Sequence, residues 1–594
     1  MIVDAFAPQL SLVRLQQMLV DVGIANVLLA AVSVAVAVLV ADYARMLYLR
    51  ARMPPGPFPL PIVGNTFLLP ENKPWIYFEA LSERYQAPLI TFWIGRNPTV
   101  WINDAWCAHE ILEKKAQIYA SRPRMVVFGE LGTGQSNLVT MRIRNSAERE
   151  HWRVHRKLMH LGVGIQAVRR YRDVQNNESK VVALDCLREP AAYVKHLERY
   201  ATSVVSVLAF GRRVASYGDP IITEVIALMH LAADLNVPGK SFPMLLETFP
   251  VLAKFPRWAP WFRGMGNRGQ KGGHYFFHTL AEEAVAQRAA KPDHEKAGTP
   301  TPFAETLQAE AGKYGLSTEE LSSLTGNLFG AGSDTSSSTL ITFVLACCAF
   351  PAPMRTAQAE LDAVVGRQRS PDWDDHDAGR LPYVNALVKE VLRWRSVAII
   401  GGQPHSPTQD DEYRGWHIPA GAWVQGNVWA IHHNAREFPD PDRFAPERFI
   451  AGSDLARPFP GDRGYMTFGW GRRVCSGQAL AEQGVWITIA RLLWAFTIAP
   501  YRDPKTGVED TVDIFAFTNG LNMRPQPFRC TFVPRAEAIR ETLVREGQQA
   551  LVDLQPLDGE SKYRMSTFYQ AQKRAIAEEP VFDEHGELKV VKVK

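Results

Sequence analysis

Residues 465–484, YMTFGWGRRVCSGQALAEQG, place one thiol, Cys475, between a run rich in glycine and arginine and the start of an apolar stretch that reads as a helix. A sulfur at that position lies where backbone N–H groups and the positive end of a helix dipole favour a thiolate, and a thiolate is a metal ligand. Gly471 and Gly477 let the backbone turn tightly around it, and Arg473 offers a cation to a nearby anion. Composition alone still favours a buried, inert cysteine, because free thiols pack as small hydrophobes.

A second polar cluster sits where an apolar one belongs. Leu316-Ser317-Thr318-Glu319-Glu320-Leu321 announces a helix with an N-cap serine and a glutamate three residues on, and the pattern runs to Phe350, where Pro351 stops it. The middle of this helix reads AGSDTSSS (331–338), a group of poor helix formers that brings oxygen atoms into a core element. Residues 381–396 form another helix, with Val384, Leu387, Val388, Val391 and Leu392 on one inward stripe. Glu390 and Arg393 stand at i and i+3 on it, the spacing of an ordinary surface ion pair. Short β-type runs at 89–95 and 98–103 predict a small sheet within a mainly helical chain.

These elements belong to one large unit, since no second composition regime interrupts residues 66–535 and 46% hydrophobic residues suffice for a sizeable core. Lys and Arg total 66 against 62 Asp and Glu, a balance of +4 that suggests no nucleic-acid partner. The six cysteines (Cys107, Cys186, Cys347, Cys348, Cys475, Cys530) form no CxxC pair and no disulfide framework, which points to reduced thiols. Residues 22–41 are uncharged and long enough to cross a bilayer. Arg45, Arg50 and Arg52 follow the span, so the positive-inside bias puts the body of the chain in the cytosol; a cleaved signal peptide is the competing reading. The expected division is a lumenal segment 1–21, a transmembrane anchor 22–41, a basic and proline-rich linker 42–65, a catalytic domain 66–535 and a charged extension 536–594, the last read as a solvated helix packed on the domain.

The spacing Phe468-xx-Gly471-x-Arg473-x-Cys475-x-Gly477 fixes five positions in ten and resembles the cysteine-ligand loop of the haem-thiolate monooxygenases, the cytochrome P-450 superfamily. Three more matches follow the family's order. Ala331-Gly332-Ser333-Asp334-Thr335-Ser336 is similar to its oxygen-binding groove, Glu390-Val391-Leu392-Arg393 with Arg448 of PERF (446–449) to its buried ionic network, and Trp152-Arg153-Val154-His155-Arg156 to its WxxxR segment. The resemblance covers roughly residues 50–535 and implies the cytochrome P-450 fold behind one N-terminal transmembrane helix. It further implies haem b with Cys475 as the axial thiolate, and Phe468 and Gly332 beside it. Trp152, Arg156, Arg473 and His405 are implied to hold the propionates. Gly332 would leave room for dioxygen, and Asp334 and Thr335 would hold water and relay protons.

By the same resemblance the enzyme is a single-pass endoplasmic reticulum protein that takes electrons from an NADPH–cytochrome reductase docked near Arg149, Arg153, Lys157 and Arg472. It would hydroxylate an apolar small molecule; the alternative class is a haem-thiolate isomerase or dehydratase that does not consume dioxygen. Pocket walls are expected from 121–142, 328–335, 397–403 and 515–523, and the overall texture resembles fungal secondary-metabolism enzymes acting on small aromatic or polyketide rings. Ser396 stands where many relatives carry proline, which predicts a less rigid turn after the Glu390–Arg393 helix.

Overall fold

A computed structural model describes residues 24–134, 136–235, 241–255, 267–293, 299–520 and 522–561, together with 581–582 and 588–589. The expected lumenal segment 1–21 and most of the extension beyond 561 lie outside the described residues.

Helix α1 (Ile24–Arg52) is exposed along its apolar stretch and is the one described helix by itself long and apolar enough to cross a membrane. It does not end where the charge-free run ends. No helix breaker occurs before Pro54, so the helix continues past residue 41 and its base docks on the domain: Asp42 pairs with Arg96 at 2.6 Å, and Met46 and Met53 are buried. Within the predicted basic and proline-rich linker 42–65, residues 42–52 continue the helix and the proline-rich remainder is a packed strap. Thr91 N–H donates to Pro55 O at 2.9 Å, and a Cβ on Gly56 would stand 1.8 Å from Thr91 O, so only glycine lets the strap cross the sheet there.

The sheet follows the two β-type runs. β1 (Leu89–Ile94) pairs antiparallel with β2 (Asn97–Ile102), Leu89 opposite Ile102, and β2 pairs in parallel with the distant β3 (Trp423–Gly426), Thr99 opposite Trp423. All six β1 residues are buried, which is why the run is continuously apolar.

The helical body is built around α2 (Ser146–Val163), α3 (Arg172–Arg188), α4 (Tyr193–Phe210) and α5 (Thr318–Ala349). The capping box of α5 is present, with Ser317 N–H on Glu320 Oε2 at 2.8 Å. Its 32 residues span about 48 Å through the core. α6 (Pro382–Trp394) and α7 (Gln478–Ala495) pack beside it, and β4 (Phe496–Pro500) and β5 (Cys530–Pro534) form an antiparallel pair. α8 (Glu537–Leu554), from the charged extension, lies on α3 and buries Ile539, Leu543, Ala550 and Leu554, with Gly547 against Leu184. Beyond it Arg213 N–H donates to Leu557 O and its guanidinium pairs with Asp558 at 3.1 Å. The extension therefore starts as part of the folded body.

Candidate functional site

A cavity of about 340 Å³ opens between α5 and the loop before α7. That lies within the range of roughly 300–1,000 Å³ usual for small-molecule sites. Phe468, Arg473 and Cys475 line one side, and Ala331, Gly332 and Thr335 of α5 also line it.

The cysteine loop is held by its own backbone. Cys475 N–H donates to Phe468 O at 2.9 Å, and Gly471 N–H donates to Glu113 Oε2 at 2.6 Å. Gly471 has φ +54 and a Cβ there would stand 2.5 Å from Leu112 O, so this glycine permits a close approach to the neighbouring segment rather than to the sulfur. Helix α7 begins at Gln478, three residues beyond Cys475. The thiol is accessible to the cavity yet lies deep in the protein, and burial raises its pKa despite the opposing Gly477 N–H and Arg156 charge. Burial thus opposes the thiolate that the neighbouring helix start favours, and a bound metal cation would supply the charge that deprotonates the thiol.

Behind the loop, Glu390 and Arg393 are both fully buried, and Arg393 Nε and Nη2 donate to the two Glu390 oxygens at 2.7 and 2.8 Å. The surface-pair alternative is excluded. Arg448 Nε stands 3.4 Å from Glu390 Oε1, and Ala445 N–H donates to the same oxygen at 2.9 Å. Arg393 also donates to His432 O and Pro441 O. His432 Nε2 accepts Met466 N–H at 2.9 Å, so its proton is on Nδ1, which faces Arg393 O and Ser396 Oγ. Burial keeps this ring far below the ordinary histidine pKa, hence neutral. Ser396 Oγ is 2.7 Å from Leu392 O and 2.8 Å from Thr467 Oγ1. The turn expected to be loose is tied by these contacts, and the ionic network reaches the cysteine loop through His432 and Thr467.

The other feature of the cavity is positive charge without a counter-ion. Arg473 donates to Ala120 O, Leu138 O and Met141 O, and its guanidinium lies 4.6 Å over the Trp152 ring. Arg156 donates to Ser476 Oγ and Val474 O, both at 2.7 Å. Arg122, which the sequence did not single out, donates to Val139 O and Gln403 O and is pushed down to about 9 by burial and by Arg156. Burial, then Arg122 and Arg156, hold Arg473 well below the arginine range. No carboxylate among the described residues acts on any of the three. Trp152 Nε1 is a buried donor without a partner among them. His405, also on the cavity wall, is buried, with Nδ1 2.9 Å from Tyr119 O. That carbonyl only accepts, so Nε2 donates only when the ring is doubly protonated, and burial with Arg122 opposes this. Three guanidiniums, a histidine and an orphaned indole N–H around one end of the cavity are uncompensated unless an acidic ligand enters. A porphyrin carrying two propionates, with a metal toward Cys475, fits that donor set.

On α5, Thr335 lines the cavity and its hydroxyl donates to Ala331 O at 2.6 Å. Ser333, Ser337, Thr339 and Thr342 make the same bond four residues back, so most of the oxygen atoms in this helix satisfy its own backbone. Gly332 also lines the cavity, but a Cβ there would stand 2.4 Å from Val205 Cγ1, so the glycine is required by the packing of α4 on α5 as well as by any ligand. Asp334 is buried outside the cavity lining: Asn522 Nδ2 donates to its Oδ2 at 2.8 Å, and Arg524 lies 4.0 Å from Oδ1. Of the expected walls, 121–142, 328–335 and 397–403 contribute, and the described part of 515–523 does not. That loop instead holds Asp334 through Asn522.

The cytochrome P450 family model matches residues 54–531. Cytochrome P450 monooxygenase 253 of Postia placenta is 34% identical over 501 residues, covering 83% of this chain and 91% of that protein. Cytochrome P450 monooxygenase virE of Hypocrea virens is 32% identical over 86% of this chain and 90% of its own. Cytochrome P450 monooxygenase yanC of Aspergillus niger is 31% identical, with 84% and 93% covered. The family implies a haem iron held by a cysteine thiolate.

Proposed function

The chain belongs to the cytochrome P450 family and is a haem monooxygenase, and from that premise we propose that it hydroxylates an apolar small molecule, with haem b that Cys475 and the arginine cradle would hold. The observation that carries this reading is one cavity that has a lone thiol on its wall, three acid-free arginines at one end and a threonine-bearing helix beside it. When bound, the haem supplies reductive activation of dioxygen, in which the substrate C–H bond gains one oxygen atom and NADPH and a proton carry the other away as water. Cys475 would hold the iron, and Trp152, Arg122, Arg156, Arg473 and His405 would bind the two propionates, whose charge would favour the doubly protonated state in which His405 donates from Nε2. Glu390, Arg393 and Arg448 position the loop rather than take part in chemistry.

Thr335 commits its proton to Ala331 O, which leaves its oxygen lone pairs to accept from water or from a protonated oxygen in the cavity. Asp334 would relay protons behind it and must leave Asn522 to serve. Val204, Val205, Leu328, Val397 and Ala398 give the cavity an apolar wall suited to a small aromatic or polyketide ring, and the fungal relatives support a place in secondary metabolism. The apolar α1 supports a single-pass anchor in the endoplasmic reticulum with the domain in the cytosol. Exposed Arg153, Lys157 and Arg472 form the face offered to an NADPH–cytochrome reductase, with Arg149 beside them.

The test is Thr335→Ala in reductase-reconstituted membranes supplied with candidate aromatics. Product per NADPH consumed should fall about tenfold, equivalent to about 1.4 kcal/mol of differential transition-state stabilisation, with hydrogen peroxide rising in step. Unchanged coupling, with turnover equally supported when dioxygen is excluded, overturns monooxygenation in favour of an isomerase or dehydratase.

A further inference from the structure

About 100° around α2 from the side chains of the cradle lies a second group of ligating side chains that the haem chemistry does not use. His151 and His155 stand one helical turn apart on α2, their ring centroids 4.7 Å apart, and both face the start of α5. Glu320 Oε1 is 2.8 Å from His151 Nε2 and 3.1 Å from His155 Nε2. The three ligating atoms all lie within 4.8 Å of one another. We propose that His151, His155 and Glu320 form a binding site for a borderline divalent cation of the zinc class, which ties α2 to α5.

The donor set is two imidazole nitrogens and one carboxylate oxygen, which suits zinc and its neighbours rather than calcium or magnesium. A tetrahedral zinc with bonds of about 2.0–2.1 Å sets its ligand atoms about 3.3 Å apart, only a few tenths wider than the two nitrogen–oxygen distances above. The widening falls on His151, whose side chain is half exposed, while His155 is fully buried and fixed. Glu320 is already oriented: its other oxygen accepts from Ser317 N–H at 2.8 Å and Ser317 Oγ–H at 2.9 Å in the capping box. Such bonds to the far side of a ligating carboxylate are what hold a metal ligand in place. Three protein ligands leave a fourth position open toward solvent on the His151 side.

The tautomers are compatible with occupancy. A carboxylate oxygen only accepts, so without metal each Nε2 carries the proton it points at Glu320. Metal binding moves that proton to Nδ1. For His155, Nδ1 is buried without a partner among the described residues, so the shift turns an unpaired acceptor into an unpaired donor at the same atom and adds no further unsatisfied atom. The cation would also act on the haem site mechanically, because α2 carries Trp152 and Arg156 on the turns that bear the two histidines.

Zinc chloride titrated into haem-loaded, full-length protein without a histidine tag, against a chromogenic chelator, tests this directly. We expect one zinc per chain in the micromolar range, weakened at least tenfold by His151→Ala and by Glu320→Gln and unchanged by His278→Ala, a histidine of another i,i+4 pair. The carbon monoxide difference spectrum of His151→Ala should match the unsubstituted protein, which shows that the variant folds, and zinc-edge absorption should report two imidazole ligands. Absence of stoichiometric binding, equal affinity in His151→Ala, or a zinc shell without two imidazoles overturns the site.

Discussion

Replacing Glu390 with glutamine keeps the side-chain length and one carbonyl oxygen, so no cavity opens; what changes is charge. Arg393 is fully buried, and Glu390 is its carboxylate partner through two hydrogen bonds at 2.7 and 2.8 Å. Bonds to a charged group taken singly are worth about 1.5–3 kcal/mol each, and adding Ala445 N–H would push the sum well past what broken buried pairs show. The bound that applies is about 3–5 kcal/mol, since the lost term is mainly an uncompensated buried guanidinium. Unfolding entropy near 2.1 cal/mol/K per residue, over the matched span 54–531, comes to about 1 kcal/mol/K, so the thermal midpoint should drop by about 3–5 °C. The damage also travels. Arg393 holds His432 O, and His432 Nε2 holds Met466 N–H on the cysteine loop, so Glu390→Gln should lose haem, or convert the reduced carbon monoxide complex from the long-wavelength thiolate band to a histidine-like one. Paired scans at one heating rate with matched haem content make the assay. The double variant Glu390→Leu, Arg393→Met removes both charges of the bidentate pair, leaving Arg448 as the one network cation without its carboxylate, and should be more stable than the worse single variant. A midpoint within 1 °C of the unsubstituted protein at full haem content, or a double variant less stable than both singles combined, would refute the reasoning.

Cys475→Ala should abolish the thiolate band, whereas Cys347→Ala and Cys530→Ala, buried away from the cavity, should retain it. Glu247 is buried with Oε1 on Val127 N–H and is raised to about 7 chiefly by burial. The fold therefore binds an extra proton between about pH 4.5 and 7, and stability falls as pH rises through that window; Glu247→Gln should remove the slope and stabilise the protein above pH 7 by up to about 3 kcal/mol in urea titrations. Truncation after Ala536 uncovers the face of α3 now covered by Ile539, Leu543 and Leu554, each worth roughly 1.5–3 kcal/mol, so a thermal scan should show a large loss; an unchanged midpoint would show that the packing of α8 adds no stability.

What could be read from the sequence was local. The capping box at Ser317, the inward stripe of α6 and the two paired β runs need only neighbours a few residues away, and the glycine–arginine–cysteine spacing carries its chemistry within ten positions. The parts that were not legible are those where distant segments meet. β3 pairs with β2 across more than three hundred residues and has no local signal for its partner. Arg122 sits in no motif, and only the fold brings it beside Arg156 and Arg473, where burial and the Arg156 charge push it down to about 9. A helix start close to Cys475 is legible in the sequence, but the burial that raises its thiol, and the three residues between it and the first helical residue Gln478, are not. Asp334 and Thr335 are adjacent, yet a helix turns about 100° per residue, so one lines the cavity while the other meets Asn522. Adjacent residues in a motif can therefore hold separate offices: Thr335 lines the cavity, and Asp334 ties α5 to the loop after β4, so that any proton it relays has to be preceded by movement of Asn522 or of the carboxylate itself.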